Sequence, residues 1–348
     1  MRRRTFVAGG LVAGAAAAAA LWRCRDAGAA AGDAGEALPD GRALVRGAAL
    51  AFGTTVTVAA IHEDPGTARA AVADALGEAR RVDALMSVHR DDSEVGRLNA
   101  TGALARPDPR LVHVLERAQR LSELSGGAFD VTVQPLWTLF AACRRAGRLP
   151  SRGEIAAARA RVGWERLEVS RERIALTGAG MGVTLNGIAQ GYATDLALAA
   201  LAARGVRDAL VDTGEYGAEG TRAPSRPWTV GVQHPRDPGA LLGAVAMDGR
   251  FLATSGDYAT TFSDDRLYHH IFDPATGVSP PGLSSVVVAA SSGLDADALT
   301  KPLMILERGR AEALLARFPG AGALWVDKAA RVVAARGLTL LATSGGPA

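Results

Sequence analysis

Apolar residues recur at helical spacing over 67–86, with arginines on the opposite face, which predicts a long helix. A second helix is predicted over 109–124, stopped by Gly126-Gly127. A third is predicted over 151–161, where Ser151 followed three residues later by Glu154 gives a capping-box signature. The β-branched run 54–61 (TTVTVAAI) reads as a strand entered through Phe52-Gly53. Strands are also predicted at 166–170 and 173–177, before a Gly-rich turn feeding a helix over 188–204. After Gly205, the segments 208–212, 228–233, 251–255, 269–272 and 285–290 read as strands. A helix over 296–315 and a strand pair at 323–326 and 331–334 close the chain. Strands and helices come in blocks rather than strict alternation, which predicts an α+β fold of mixed sheets with flanking helices. Residues 30–48 are Ala/Gly-rich and charged without periodicity, and read as a flexible linker.

The first 29 residues have a different character. Arg2-Arg3-Arg4 precedes a weakly hydrophobic run from Val7 to Trp22 and the small-residue exit Ala27-Gly28-Ala29, the pattern of a secretory signal. The order Arg3-Arg4-Thr5-Phe6 resembles a twin-arginine export signal. The expected location is therefore exported and periplasmic, with membrane contact only through the leader, cleaved or retained. The leader also accounts for the overall charge of +3: it holds five arginines and one acid, leaving 34 basic and 35 acidic residues in the body. The body thus carries no nucleic-acid footprint. Only Cys24 and Cys143 are present, too few for a disulfide framework or a cysteine zinc site, and the six histidines lack zinc-hydrolase spacing. With 48% hydrophobic and 22% charged residues, the 348-residue chain can bury a sizeable core.

Candidate chemistry concentrates in turns. The stretch Thr184-Leu185-Asn186-Gly187-Ile188-Ala189-Gln190-Gly191-Tyr192 is a glycine turn feeding a helix, the setting in which backbone amides approach an anion. Ala253-Thr254-Ser255-Gly256-Asp257-Tyr258 is a second polar turn, and His269-His270-Ile271-Phe272-Asp273-Pro274-Ala275-Thr276-Gly277 a third. Taken alone such a turn is a weak signal, more often a plain structural corner than a site. Together with Met86-Ser87, Ser93-Glu94, Arg97-Leu98-Asn99, Gly127-Ala128-Phe129-Asp130-Val131-Thr132-Val133-Gln134-Pro135-Leu136 and the 296–306 segment, they form six motifs in order. That series resembles the FAD:protein FMN transferase (ApbE-like) family. The TLNGIAQGY wording with the leader is also similar to the NosX-like branch that serves nitrous-oxide reductase maturation.

The resemblance implies an ApbE-like fold over 49–340, following leader 1–29 and linker 30–48. It also implies FAD as substrate, Mg²⁺ or another divalent metal, and transfer of FMN to a Thr or Ser hydroxyl of an exported or membrane redox protein, with release of AMP. The acceptor would carry a DxxTGAT-like segment. His270 is the implied base. The implied FAD contacts are Phe52, His89, Ala128, Phe129, Asp130, Thr184, Gln190 and Ile271, with core packing an equal alternative for Phe129 and Ile271. The metal would be held by Asp297, the Gly187 carbonyl and a residue one turn beyond Asp297.

Here the chain departs from the family pattern. The expected threonine is Lys301, whose ammonium has no lone pair for a metal. An i,i+4 Asp297–Lys301 pair could compete with the ion, and Thr300 on nearly the same helix face could take over as ligand; alternatively the Lys301 ammonium replaces part of the metal's charge as a point-charge phosphate binder, or is a plain surface lysine on a helix. Lys301 and Lys328 are the only lysines against 37 arginines, which singles the position out. Thr184, where the family commonly has Asp, removes a carboxylate from the FAD site. Two rival functions follow: a metal-dependent FAD pyrophosphatase in which water replaces the acceptor, and a non-catalytic FAD carrier. The likeness of 273–279 to the acceptor sequence is accidental, since the same residues already match the family's own DPxTG turn.

Overall fold

The computed structural model describes residues 35–342. The leader, and the linker up to residue 34, lie outside the described residues.

The chain starts with β1 (Glu36–Ala37), β2 (Ala43–Ala51) and β3 (Thr54–His62), and then enters the long helix α1 (Pro65–Met86). Next come α2 (Glu94–Thr101), β4 (Ala103–Ala105), α3 (Pro109–Ser125), α4 (Gln134–Arg145) and α5 (Arg152–Arg159). The hairpin β5 (Leu167–Val169) and β6 (Arg173–Leu176) leads through the glycine turn to α6 (Ala189–Ala203). Strands β7 (Asp208–Asp212), β8 (Tyr216–Glu219), β9 (Thr221–Ala223), β10 (Arg226–Pro227), β11 (Thr229–Gln233), β12 (Leu241–Ala246), β13 (Phe251–Gly256) and β14 (Leu283–Ala290) follow. The chain ends with α7 (Gly293–Ile305), α8 (Arg308–Leu315), β15 (Gly322–Asp327) and β16 (Val332–Arg336).

Nine strands join in one antiparallel sheet in the order β1-β2-β3-β7-β8-β13-β14-β15-β16. Its period-2 alternation feeds two cores. Val56, Val58, Val286, Val288 and Trp325 face the helical layer of α1, α6 and α7. Ile61, Val287, Ala289 and Leu324 face the β11–β12 hairpin, which contributes Val230, Val232 and Val245. The α+β expectation holds: the nine-stranded sheet carries a helix layer on one face and the β11–β12 hairpin on the other, with smaller β4-β6-β5 and β9-β10 sheets beside it. A separate aromatic cluster joins α4 to the 258–280 segment: Phe140 lies 5.1 Å from Phe272, and Phe262 stacks on Phe272 at 5.9 Å.

Three expectations need correcting. Residues 36–48 are not linker, because β1 and most of β2 are built into the sheet. The small residues there serve packing: a Cβ on Gly47 would lie 2.5 Å from Val72 Cγ1, so α1 rests directly on that strand. Second, 269–272 is no strand. It makes only a bridge from His269 to Thr261, because the Ser279 hydroxyl takes both the N–H and the C=O of His269. Third, the predicted helix 296–315 is two helices, α7 and α8, and α7 begins earlier at the Ser292 cap. Helices α2 and α4 lie where the sequence pattern predicts no element: α2 has only eight residues, and α4 opens with a proline inside a motif.

Where α6 crosses α7, the backbones nearly touch. A Cβ on Gly191 would lie 2.0 Å from the Gly293 carbonyl, and one on Gly293 would lie 2.3 Å from the Gly191 carbonyl. Asp195 on α6 caps α7 by accepting from Gly293 N (2.6 Å) and Leu294 N (2.9 Å). This crossing brings the 187–191 turn against the second turn of α7. Among the described residues, no helix is long and apolar enough to cross a membrane.

Candidate active site

The glycine turn is anchored from two sides. Asn99 at the end of the Arg97-Leu98-Asn99 motif makes a reciprocal pair with Val183: its Nδ2 donates to Val183 O (2.8 Å) and its Oδ1 accepts from Val183 N (2.6 Å). Thr184 N donates to Val131 O (2.8 Å), which ties the 128–132 turn beside it. Ser93 fixes the start of α2, accepting from Gly96 N (2.8 Å) and donating to Ser87 O (2.6 Å). The 86–99 motif is thus scaffold for the turn.

The 128–132 turn is held by Asp130. One carboxylate oxygen accepts from Thr132 N and Oγ1, both at 2.7 Å, and the other from Trp164 N at 3.0 Å. Burial pushes the Asp130 carboxyl up from its usual range, against the pull of these donors. Its carboxylate therefore works inside the fold. Ala128, Phe129 and Ile271 are buried, and Phe129 and Ile271 belong to the main core. Gln190 Nε2 donates to Thr213 O, which turns it toward the β7–β8 turn. Phe52 sits at the tip of the β2–β3 hairpin with φ of 54°, and His89 is exposed, its ring 5.9 Å from Trp137.

Around α7 the geometry is tightest. Asp297 is buried at 1% exposure, and its Oδ2 accepts from Gly191 N at 3.1 Å. Its Oδ1 is paired with Lys301 Nζ, which also donates to Asp297 O at 3.0 Å. Thr300 is buried, donates to Asp297 O (2.6 Å) and lies 2.7 Å from Ser255 Oγ. Gly187 faces the lysine stem: a Cβ there would lie 2.7 Å from Lys301 Cε. Glu215, in the β7–β8 turn, is buried and accepts from Thr254 N at 3.0 Å. Burial, then the Asp297 charge, push the Glu215 carboxyl well above the usual carboxylate range, with Lys301 pulling the other way. Sequence reasoning missed Glu215, an acid in a short turn that belongs to no motif.

His270 Nδ1 lies 3.3 Å from Thr260 O, so Nδ1 carries the proton and Nε2 is left as acceptor. Loss of water around the ring pulls His270 down to about 4, and the Lys301 ammonium adds to it. The imidazole is therefore neutral at physiological pH and able to accept a proton. His269 is fully buried, with Nε2 3.3 Å from Pro280 O, and is likewise pulled down to about 4 by burial. Asp257, from the second polar turn, is a buried clamp: Arg236 grips it at 2.7 and 2.9 Å and Lys328 at 2.8 Å. Burial alone would raise its carboxyl, but these two cations hold it below the usual range.

The structure thus gathers the 183–191 turn, the end of β13 and the second turn of α7 around the Asp297–Lys301 pair, and the Lys301 charge is felt at His270. The implied metal donors do not fit a divalent ion. Both Asp297 carboxylate oxygens are taken by protein donors, the Thr300 hydroxyl points to Asp297 O and Ser255, and an ammonium already lies between Asp297 and Gly187. No group of three or more His, Cys, Asp or Glu placed to hold a metal occurs among the described residues.

The family model described as the ApbE family matches residues 52–325. The chain is 31% identical over 325 residues to the FAD:protein FMN transferase of Treponema pallidum, covering 86% of this chain and 89% of that protein. It is 31% identical over 285 residues to the enzyme of the same name from Vibrio cholerae, covering 77% and 84%. Among solved structures it is similar to the ApbE protein of Thermotoga maritima (TM-score 0.74, 27% identity, 86% and 97% covered). It is also similar to the apo flavinyl transferase ApbE of Pseudomonas stutzeri (TM-score 0.71, 31% identity, 86% and 95% covered).

Proposed function

Because this chain belongs to the ApbE family, we propose that it is a FAD:protein FMN transferase that moves FMN from FAD onto a threonine or serine hydroxyl of an acceptor protein. The acceptor oxygen forms a bond to the phosphorus of the FMN phosphate. The bond from that phosphorus to the bridging oxygen breaks, and AMP leaves with the bridging oxygen. The hydroxyl proton passes to Nε2 of His270. The supporting observation is geometric: the His270 ring is held at Nδ1 by Thr260 O (3.3 Å), which leaves Nε2 as acceptor, and the Lys301 ammonium stem lies against Gly187 of the glycine turn. Phosphoryl transfer of this kind needs a positioned nucleophile and cationic charge on the diphosphate more than covalent help from the protein.

The acceptor is taken to be an exported or membrane redox protein carrying a DxxTGAT-like segment. The Arg2-Arg3-Arg4 leader supports a location outside the cytoplasm. Incubating the protein with FAD and such an acceptor tests the reading. Covalent flavin fluorescence on the acceptor in a denaturing gel, with stoichiometric AMP, is expected. Release of FMN and AMP without acceptor would instead make it a pyrophosphatase. FAD that stays bound and intact throughout would make it a carrier.

A further inference from the structure

Lys301 stands where the family resemblance implies a metal ligand, yet its surroundings are those of a resident cation. Its Nζ pairs with Asp297 Oδ1 and donates to Asp297 O at 3.0 Å. An ammonium has three donors, and among the described residues Lys301 makes no other hydrogen bond. Its side chain is 18% exposed and its Nζ lies 3.5 Å from where a Cβ on Gly187 would stand, so the ammonium sits at the glycine turn with one donor to spare. Gly187 makes that approach possible, because any side chain there would meet Cδ and Cε of the lysine at 3.3 and 2.7 Å. The oxygens that would hold a divalent ion are spent on Gly191 N, Lys301 and Ser255. In a chain with 37 arginines and two lysines, this position carries the compact, strongly hydrated cation rather than the planar one. A point charge on a flexible stem is the side chain closest to a small metal ion in what it can do to a phosphate.

We infer that the Lys301 ammonium is the built-in cation of this site, held by Asp297 and aimed at the diphosphate of FAD, and that it takes the place of a divalent metal. This rests on the FAD-binding part of the function proposed above.

Two measurements on the full chain test it. The first follows Mn²⁺ by electron paramagnetic resonance, with and without FAD, through the signal of the free ion. The wild type should take up no site-bound Mn²⁺, and Lys301→Thr, which restores a hydroxyl and removes the ammonium, should take up one ion per chain. The second measures FAD affinity in EDTA by flavin fluorescence. The wild type should bind FAD unaided, and Lys301→Met should bind it about ten- to a hundredfold more weakly, the loss expected for one charge-assisted hydrogen bond. Uptake of one Mn²⁺ per chain by the wild type, or equal FAD affinity of wild type and Lys301→Met in EDTA, would overturn the inference. Failure of the function itself looks different: FAD binds to neither protein under any condition and no acceptor becomes fluorescent, whereas the Mn²⁺ titration still reads what occupies the Asp297 site.

Discussion

The imidazole of His270 combines a hydrogen bond from Nδ1 to Thr260 O with a proton affinity lowered to about 4. A base must be deprotonated to act, so kcat/KM for transfer should stay flat from neutral pH downward and fall only near pH 4, not near the 6.5 of a free imidazole. A pH–rate profile with an acid limb at 6.5 would assign the base elsewhere. His270→Gln should lower kcat by about 10²–10⁴ while leaving FAD affinity nearly unchanged. His269 is built for stability. Its neutral ring is buried, with a proton affinity lowered to about 4, while the unfolded chain binds a proton from about 6.5 downward. Its contribution is therefore complete above pH 6.5 and is lost as pH falls toward 4. Urea denaturation of wild type and His269→Gln should show a stability gap that narrows between pH 7 and pH 4.5. The pair is adjacent in sequence as His269-His270, and nothing in that spelling separates the two roles; Ser279 and Pro280 on one ring and Thr260 on the other do.

Helices α6 and α7 place the chemistry. Their crossing at Gly191 and Gly293 lets the Gly191 N–H reach the Asp297 carboxylate, so helix packing and site geometry are one contact. Gly191→Ala would put a methyl group 2.0 Å from the Gly293 carbonyl, which forces the helices apart. The expected cost is about 3 kcal/mol of stability, read by urea denaturation, with weaker FAD binding because Asp297 and Lys301 move with α7. The glycines of this segment were legible as a turn before a helix, but not as a helix crossing, since the partner Gly293 lies about a hundred residues further along the chain. The same holds for β2, whose small residues read as a linker because nothing local to them shows the helix they accommodate.

At the scale of the whole molecule, the sheet and its helices share one continuous hydrophobic core, and the aromatic cluster of Phe140, Phe262 and Phe272 fastens the histidine-bearing segment to α4. Phe140→Ala should cost about 3–5 kcal/mol, seen as a lower thermal midpoint, and should raise KM for FAD as the 258–280 segment loosens. Sequence alone determined the α+β class, most helices and strands, and the order of the polar turns, because hydrophobic period and glycine placement are local properties of the chain. It also marked Asp297 and Lys301 as partners, since residues four apart on a helix must be neighbours. Only the tertiary structure decided what each polar group faces. The Asp130 carboxylate is consumed by Thr132 and Trp164, Glu215 comes to lie beside Asp297, and Asp257 is locked by Arg236 and Lys328. Such pairings depend on which distant strands and turns meet at one end of the sheet, and no periodicity along the chain encodes that meeting.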